Sequence, residues 1–156
     1  MKGLAKSFYY AFRGIFTAIK NERNFRIHLV CMIYMYFFLL RYDFFEVSRT
    51  QFAIIFLANA MVVAAELINT SIEASVDLYG EEYTNNGKIA KDTAAAAVLV
   101  TAIFAVLTGI AILFQPAAFK ELFAYATTHI SFIISFIISV VIFTIFIFFG
   151  IGKKEK

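Results

Sequence analysis

Along the chain, one amphipathic stretch is followed by four apolar runs, with short polar segments between them. Residues 4–20 place Leu4, Phe8, Ala11, Phe12, Ile15 and Ile19 at helical spacing, with Lys6, Arg13 and Lys20 among them. That spacing predicts a helix lying on a membrane surface. The first apolar run, residues 27–40, is short of the roughly 20 residues that cross a bilayer, and it approaches that length only with Tyr42, Phe44 and Phe45 added. The second run starts near Phe52 and continues helical to about Leu78. It is longer than a bilayer requires, so its polar end projects past the hydrocarbon. Residues 80–88 read as a turn centred on Asn85-Asn86-Gly87. A third span runs from about Asp92 to Phe114 and stops at Gln115-Pro116. A further polar stretch with Lys120, Glu121 and His129 leads to a fourth apolar run over residues 130–151, before Lys153-Lys154-Glu155-Lys156. The expected fold is an all-α membrane protein with one amphipathic surface helix and four transmembrane helices.

Composition makes a soluble fold untenable. Hydrophobic residues are 62% of the 156, with 20 Phe and a single Pro, against about 45–50% apolar in ordinary soluble domains. A chain this small has no core large enough to hide that surface, so lipid must cover it. The net charge of +3 is modest and the basic residues gather at the ends, which argues against nucleic acid. With the N-terminus inside, residues 1–26, 80–92 and 152–156 carry 11 of the 14 Lys/Arg, and Arg41, Arg49 and Lys120 lie outside. Four spans with both termini cytoplasmic satisfy the positive-inside rule. No short apolar core with a small-residue cleavage site follows the basic start, so no signal peptide is expected. Cys31 is the only cysteine, which excludes an intramolecular disulfide and a cysteine metal site. No internal repeat suggests an inverted-repeat transporter.

The chemistry lies in carboxylates on the second span. Glu66, Glu73 and Asp77 fall within about 20° of one line along a helix, with Asn69 about 60° away and Asn59 on the same stripe deeper in. Each acidic side chain in a span costs roughly 2.5–3.5 kcal/mol on insertion scales, so three on one face call for a purpose. They could glue helices together. Alternatively, those near the cytoplasmic end could hold a hard divalent cation, since Mg²⁺ takes one or two carboxylates plus nucleotide phosphates. Glu66 and Glu73 are about 10 Å apart along the axis and cannot chelate one ion as a pair. Glu66 lies deeper, at the level of a lipid hydroxyl and in the low dielectric that suits a proton acceptor; Glu73 is better placed for metal. Glu22 could share that metal, and Lys91-Asp92 opens the third span where a cation can meet polyphosphate. Residues 80–88 are not a P-loop, because the glycine spacing is wrong and Ile89 follows Lys88.

Three strings in order, N-E-R-N-F-R-I-H at 21–28, A-A-E-L-I-N-T-S-I-E-A-S-V-D at 64–77 and G-K-I-A-K-D-T-A-A-A-A-V at 87–98, resemble the prokaryotic diacylglycerol kinase and undecaprenol kinase family. The resemblance covers about residues 5–114. It implies a homotrimer in the bacterial inner membrane, with a surface helix and three membrane helices per subunit and active sites between neighbours. Glu66 then corresponds to the catalytic base, and Glu22 and Glu73 to the Mg²⁺ ligands through which ATP is bound. Asn69, Asp77, Lys91 and Asp92 correspond to polar residues around phosphates and metal, and Tyr10 and Arg13 to positions near the nucleotide. His28 stands where the diacylglycerol-specific branch tends to carry an acidic residue. That resembles the Gram-positive branch and favours undecaprenol over diacylglycerol as acceptor.

The chain departs from the family pattern by continuing past a core of residues 1–114. The extension, residues 115–156, carries the fourth span, in which Ser131, Ser135 and Ser139 form a small-residue stripe suited to helix packing. Two other classes remain open: a channel or transporter subunit with an acidic cation path, and an inactive kinase homologue serving as scaffold. Retention of Glu22, Glu66, Asn69, Glu73, Asp77, Lys91 and Asp92 together weighs against the scaffold.

Overall fold

The computed structural model describes residues 2–78 and 84–151. Six helices follow one another there: α1 (Lys2–Asn21), α2 (Arg23–Arg41), α3 (Arg49–Asp77), α4 (Asn85–Leu113), α5 (Pro116–Thr128) and α6 (Ile130–Phe149). No strand occurs among the described residues.

Local chemistry sets the boundaries. Glu22 is extended, at φ −100° and ψ 113°, and breaks α1 from α2. Ser48 and Gln51 form a reciprocal capping box at the start of α3, which satisfies two amides that a helix N-terminus leaves open. The Thr84 hydroxyl accepts from Gly87 N at 3.1 Å and starts α4. A Cβ on Gly87 would lie 3.1 Å from both Thr84 Oγ1 and Val76 Cγ1, so the first turn of α4 packs against α3 through that glycine.

α3 and α4 form the most extensive helix pair, an antiparallel hairpin. α2 lies against α3 and α6, α1 against α2 and α3, and α5 against α6. Few side chains are buried: Phe25, Val30, Ile55, Val62 and three alanines make up the apolar core. Large side chains on α4 and α6, such as Phe104, Leu107 and Phe148, face outward, as lipid-exposed helices require. α3, α4 and α6 are long and apolar enough to cross a membrane. α2 has 19 residues but begins and ends in arginine and carries Arg26 and His28 within it. It is accordingly the least apolar of the four expected spans.

One expectation needs correction. Residues 85–88 are not a turn: they form the first turn of α4, capped by Thr84. The remainder of that predicted turn, residues 80–83, and the terminal basic cluster lie outside the described residues. The polar stretch after Gln115 is the helix α5, with Pro116 at its first position, where its missing N–H is harmless.

The extension is fastened to the rest at both ends. At one end, Gln115 accepts from Glu46 N at 3.1 Å and donates to Glu46 O at 2.9 Å. Along the middle, Tyr34 and Ser139 hydroxyls lie 2.8 Å apart, so the serine stripe turns toward α2. Ser131, Ser135 and Ser139 line a cavity of about 570 Å³ with Tyr34, Phe38 and Tyr42. At the other end Arg26 is 2% exposed. Its Nε donates to Ile147 O at 3.0 Å, and its Nη1 donates to Ile19 O at 2.9 Å and Lys20 O at 3.0 Å. The guanidinium thus meets the carbonyl-rich, negative ends of two helices, α1 and α6. Gly150 closes α6 at φ +65°, where a Cβ would come within 3.1 Å of Arg26 Nη1.

Candidate active site

Two contacts fix the register between α2 and α3. Asn59 Nδ2 donates to Tyr36 Oη at 2.7 Å, and His28 Nε2 lies 3.2 Å from Glu66 Oε1. The helices are therefore antiparallel, with 36 opposite 59 and 28 opposite 66. Continued toward the start of α2, that register brings Glu22 level with Glu73. The polar end of the molecule accordingly gathers the start of α2, the end of α3 and the start of α4.

Glu66 is the buried member of the acidic stripe, 3% exposed between Val62 and the following turn. Its Oε1 is within ion-pairing distance of His28, but the alignment is not that of a hydrogen bond, and this oxygen is buried without one. A buried carboxylate oxygen so poorly satisfied is costly to keep. Such groups concentrate at functional sites. Its side chain is 4% exposed against 26% for His28.

One turn toward the polar end, Asn69 Nδ2 donates to Glu73 Oε1 at 2.9 Å, while Asn69 Oδ1 is buried with no hydrogen bond. The pair presents an amide oxygen and a carboxylate side by side, both hard donors. Asn21 Oδ1, beside Glu22 in the chain, is likewise buried and unsatisfied. Among the described residues no group of three or more His, Cys, Asp or Glu is close enough to hold a metal ion.

Farther out, Lys91 Nζ donates to the Asp77 carboxylate and joins α3 to α4. Asp92 is exposed in the second turn of α4. Tyr10 and Arg13 of α1 line a groove of about 590 Å³ facing Leu67, Thr70, Ser71 and Ala74 of α3. The groove runs along the turns that carry Glu66, Asn69 and Glu73. The structure thus sets Tyr10 and Arg13 beside the acidic helix, and Glu66, Asn69, Glu73 and Asp77 on successive turns of it. Sequence reasoning missed Thr70 and Ser71 as groove residues. It also read His28 only as a mark of lipid choice. The available signal was helical spacing, since Thr70 follows Glu66 by one turn and its Oγ1 donates to Glu66 O at 3.0 Å.

Residues 9–113 match the family model described as Prokaryotic diacylglycerol kinase. A diacylglycerol kinase of Synechocystis is 38% identical over 114 residues, 72% of this chain and 63% of that relative; the chain thus spans less than two thirds of that protein's length. An undecaprenol kinase of Bacillus subtilis is 38% identical over 109 residues, 69% of this chain and 85% of the relative. A diacylglycerol kinase of Escherichia coli is 33% identical over 100 residues, 64% of this chain and 79% of the relative. The matched stretch contains Glu22, Glu66, Asn69, Glu73, Asp77, Lys91 and Asp92 and ends with α4, before α5 and α6. An apolar helical chain with this acidic line, matched over two of its three thirds, belongs to the prokaryotic diacylglycerol kinase family of integral membrane proteins.

Proposed function

We propose that the protein is a lipid kinase that transfers the γ-phosphoryl group of ATP to the hydroxyl of a membrane lipid. The observation that carries this reading is Glu66, a buried carboxylate with an unsatisfied oxygen, one turn from the Asn69–Glu73 pair and beside the groove lined by Tyr10 and Arg13. Glu66 accepts the hydroxyl proton of the lipid as the oxygen attacks phosphorus. Glu73 and Glu22 would hold Mg²⁺, which when bound with ATP neutralises charge on the transferred group. Lys91 and Arg13 supply positive charge to the phosphates, Asn69 orients Glu73, and Asp77 and Asp92 hold the polar rim in place. In this reading residues 1–114 perform the chemistry, and 115–156 pack alongside. The polar end faces the cytoplasm, which sets both termini inside, and subunits associate as a homotrimer with shared sites.

Undecaprenol is the favoured acceptor, because His28 and not an acidic residue stands beside Glu66 and a relative of similar identity is named undecaprenol kinase. Diacylglycerol is the alternative. The test is phosphate transfer from labelled MgATP by purified protein in detergent micelles, with the two lipids side by side and Glu66→Gln as control. Labelled lipid that vanishes in the Gln variant supports the kinase, and the faster acceptor identifies the lipid. No product from either lipid, with MgATP still bound, would move the assignment to a scaffold.

A further inference from the structure

A base that has taken a proton must lose it before it can act again, and Glu66 is poorly placed to do so alone. Its side chain is 4% exposed, Val62 is buried on the preceding turn, and Oε1 has no hydrogen bond. The ionisable group that reaches it is His28, whose Nε2 is 3.2 Å away and whose side chain is 26% exposed. Other charges nearby are directed elsewhere. Arg26, two residues before His28, is committed to the carbonyls of Ile19, Lys20 and Ile147. Glu73, on the α3 face, accepts from Asn69. His28 lies within the second turn of α2, about 8 Å from the helix start at Arg23. It therefore bridges the buried carboxyl and the polar end of the molecule.

Resting on the assignment of Glu66 as base, we propose that His28 is the exit for the substrate proton. As the lipid oxygen bonds to phosphorus and the bond to ADP breaks, the hydroxyl proton moves to Glu66. It passes from the Glu66 carboxyl to the Nε2 lone pair of neutral His28, leaving carboxylate and imidazolium. The imidazolium then gives up its Nδ1 proton to water at the polar end, and the ring returns to its starting tautomer through exchange with that water. One proton leaves per phosphoryl group transferred, as the reaction requires, and no oxidant or reductant is involved.

The test separates the first turnover from later ones. Rapid-quench measurements with labelled MgATP and lipid in micelles should find the first turnover of His28→Gln near the wild-type rate. Its steady-state kcat should fall about 100-fold, the lower end of the range for proton-transfer catalysis. KM for ATP should stay within about twofold, and added imidazole should restore part of the rate. His28→Glu, which can also carry a proton, should keep more activity than the Gln variant. Steady-state turnover of His28→Gln at the wild-type rate would overturn the proposal. So would a first turnover slowed as much as later ones, without response to imidazole, which is the signature of a structural role. Should the Gln variant not fold, the wild type carries the test: in D₂O its steady-state rate must fall more than its first turnover. A wild type that phosphorylates neither lipid removes the kinase reading itself, a result distinct from any confined to the variants.

Discussion

Lys91 Nζ donates to Asp77 Oδ1, tying the second turn of α4 to the last residue of α3. The pair joins the polar ends of α3 and α4, with Lys91 at 22% and Asp77 at 68% side-chain exposure. An exposed pair of this kind contributes about 1 kcal/mol or less to stability. On the proposed function, its value lies in holding an ammonium beside the phosphates of ATP.

Lys91→Met should therefore leave the thermal unfolding midpoint almost unchanged while raising KM for ATP. A lost charge-assisted hydrogen bond of about 1.5–3 kcal/mol corresponds to roughly 10- to 150-fold. Titration of purified protein with ATP checks this, and a large drop in stability without weaker ATP binding would contradict it.

Glu66→Gln should abolish phosphoryl transfer, with kcat down by about 10²–10⁴, yet not weaken the fold. The carboxylate it replaces is buried with an oxygen that makes no hydrogen bond, so removing its charge relieves a desolvation cost. Denaturant midpoints in detergent, compared with the activity of the same preparations, test both halves of the prediction.

Asn59→Leu should keep full activity and lose little stability. The Asn59–Tyr36 bond joins α3 to α2 away from the polar end, and interhelical bonds of this type in membranes average about 0.6 kcal/mol. A variant that folds normally but loses turnover would show that the polar stripe functions deeper than Glu66.

Arg26→Met should destabilise the protein by several times that amount, roughly 3–5 kcal/mol, because charge-assisted bonds to buried carbonyls are lost together. Gly150→Ala should cost about 1–2 kcal/mol, since it imposes a positive φ on a residue with Cβ and presses it against the guanidinium. Limited proteolysis of α1 measures the shared consequence: both variants should release that helix at lower protease concentration than wild type.

Much of this was legible because it is local. The amphipathic period of α1, the apolar lengths of α3 and α6 and the single acidic face of Glu66, Asn69 and Glu73 all repeat within a few residues. α5 was missed because Lys120, Glu121 and His129 drew attention from Pro116, Ala118, Leu122 and Ala126, which mark its start and its inner face. The start of α4 was misplaced because Asn85-Asn86-Gly87 favours turns on its own, whereas here Thr84 caps it and Gly87 allows close approach to Val76. The partners of Arg26 and His28 could not be read at all. They come from helices up to 121 residues away, and no period within one segment encodes them.

That separation has a consequence for how the protein is made. Arg26 leaves the ribosome early, but one of its acceptors, Ile147 O, is synthesised 121 residues later, on the order of ten seconds at ordinary elongation rates. Until α6 inserts, the guanidinium lacks one of its buried partners, and the first helix of the chain is held less firmly than in the finished molecule. A transcript truncated before residue 147 would carry every residue of the acidic line and still leave this clasp open. The last helix to enter the bilayer thus completes the hold on the first.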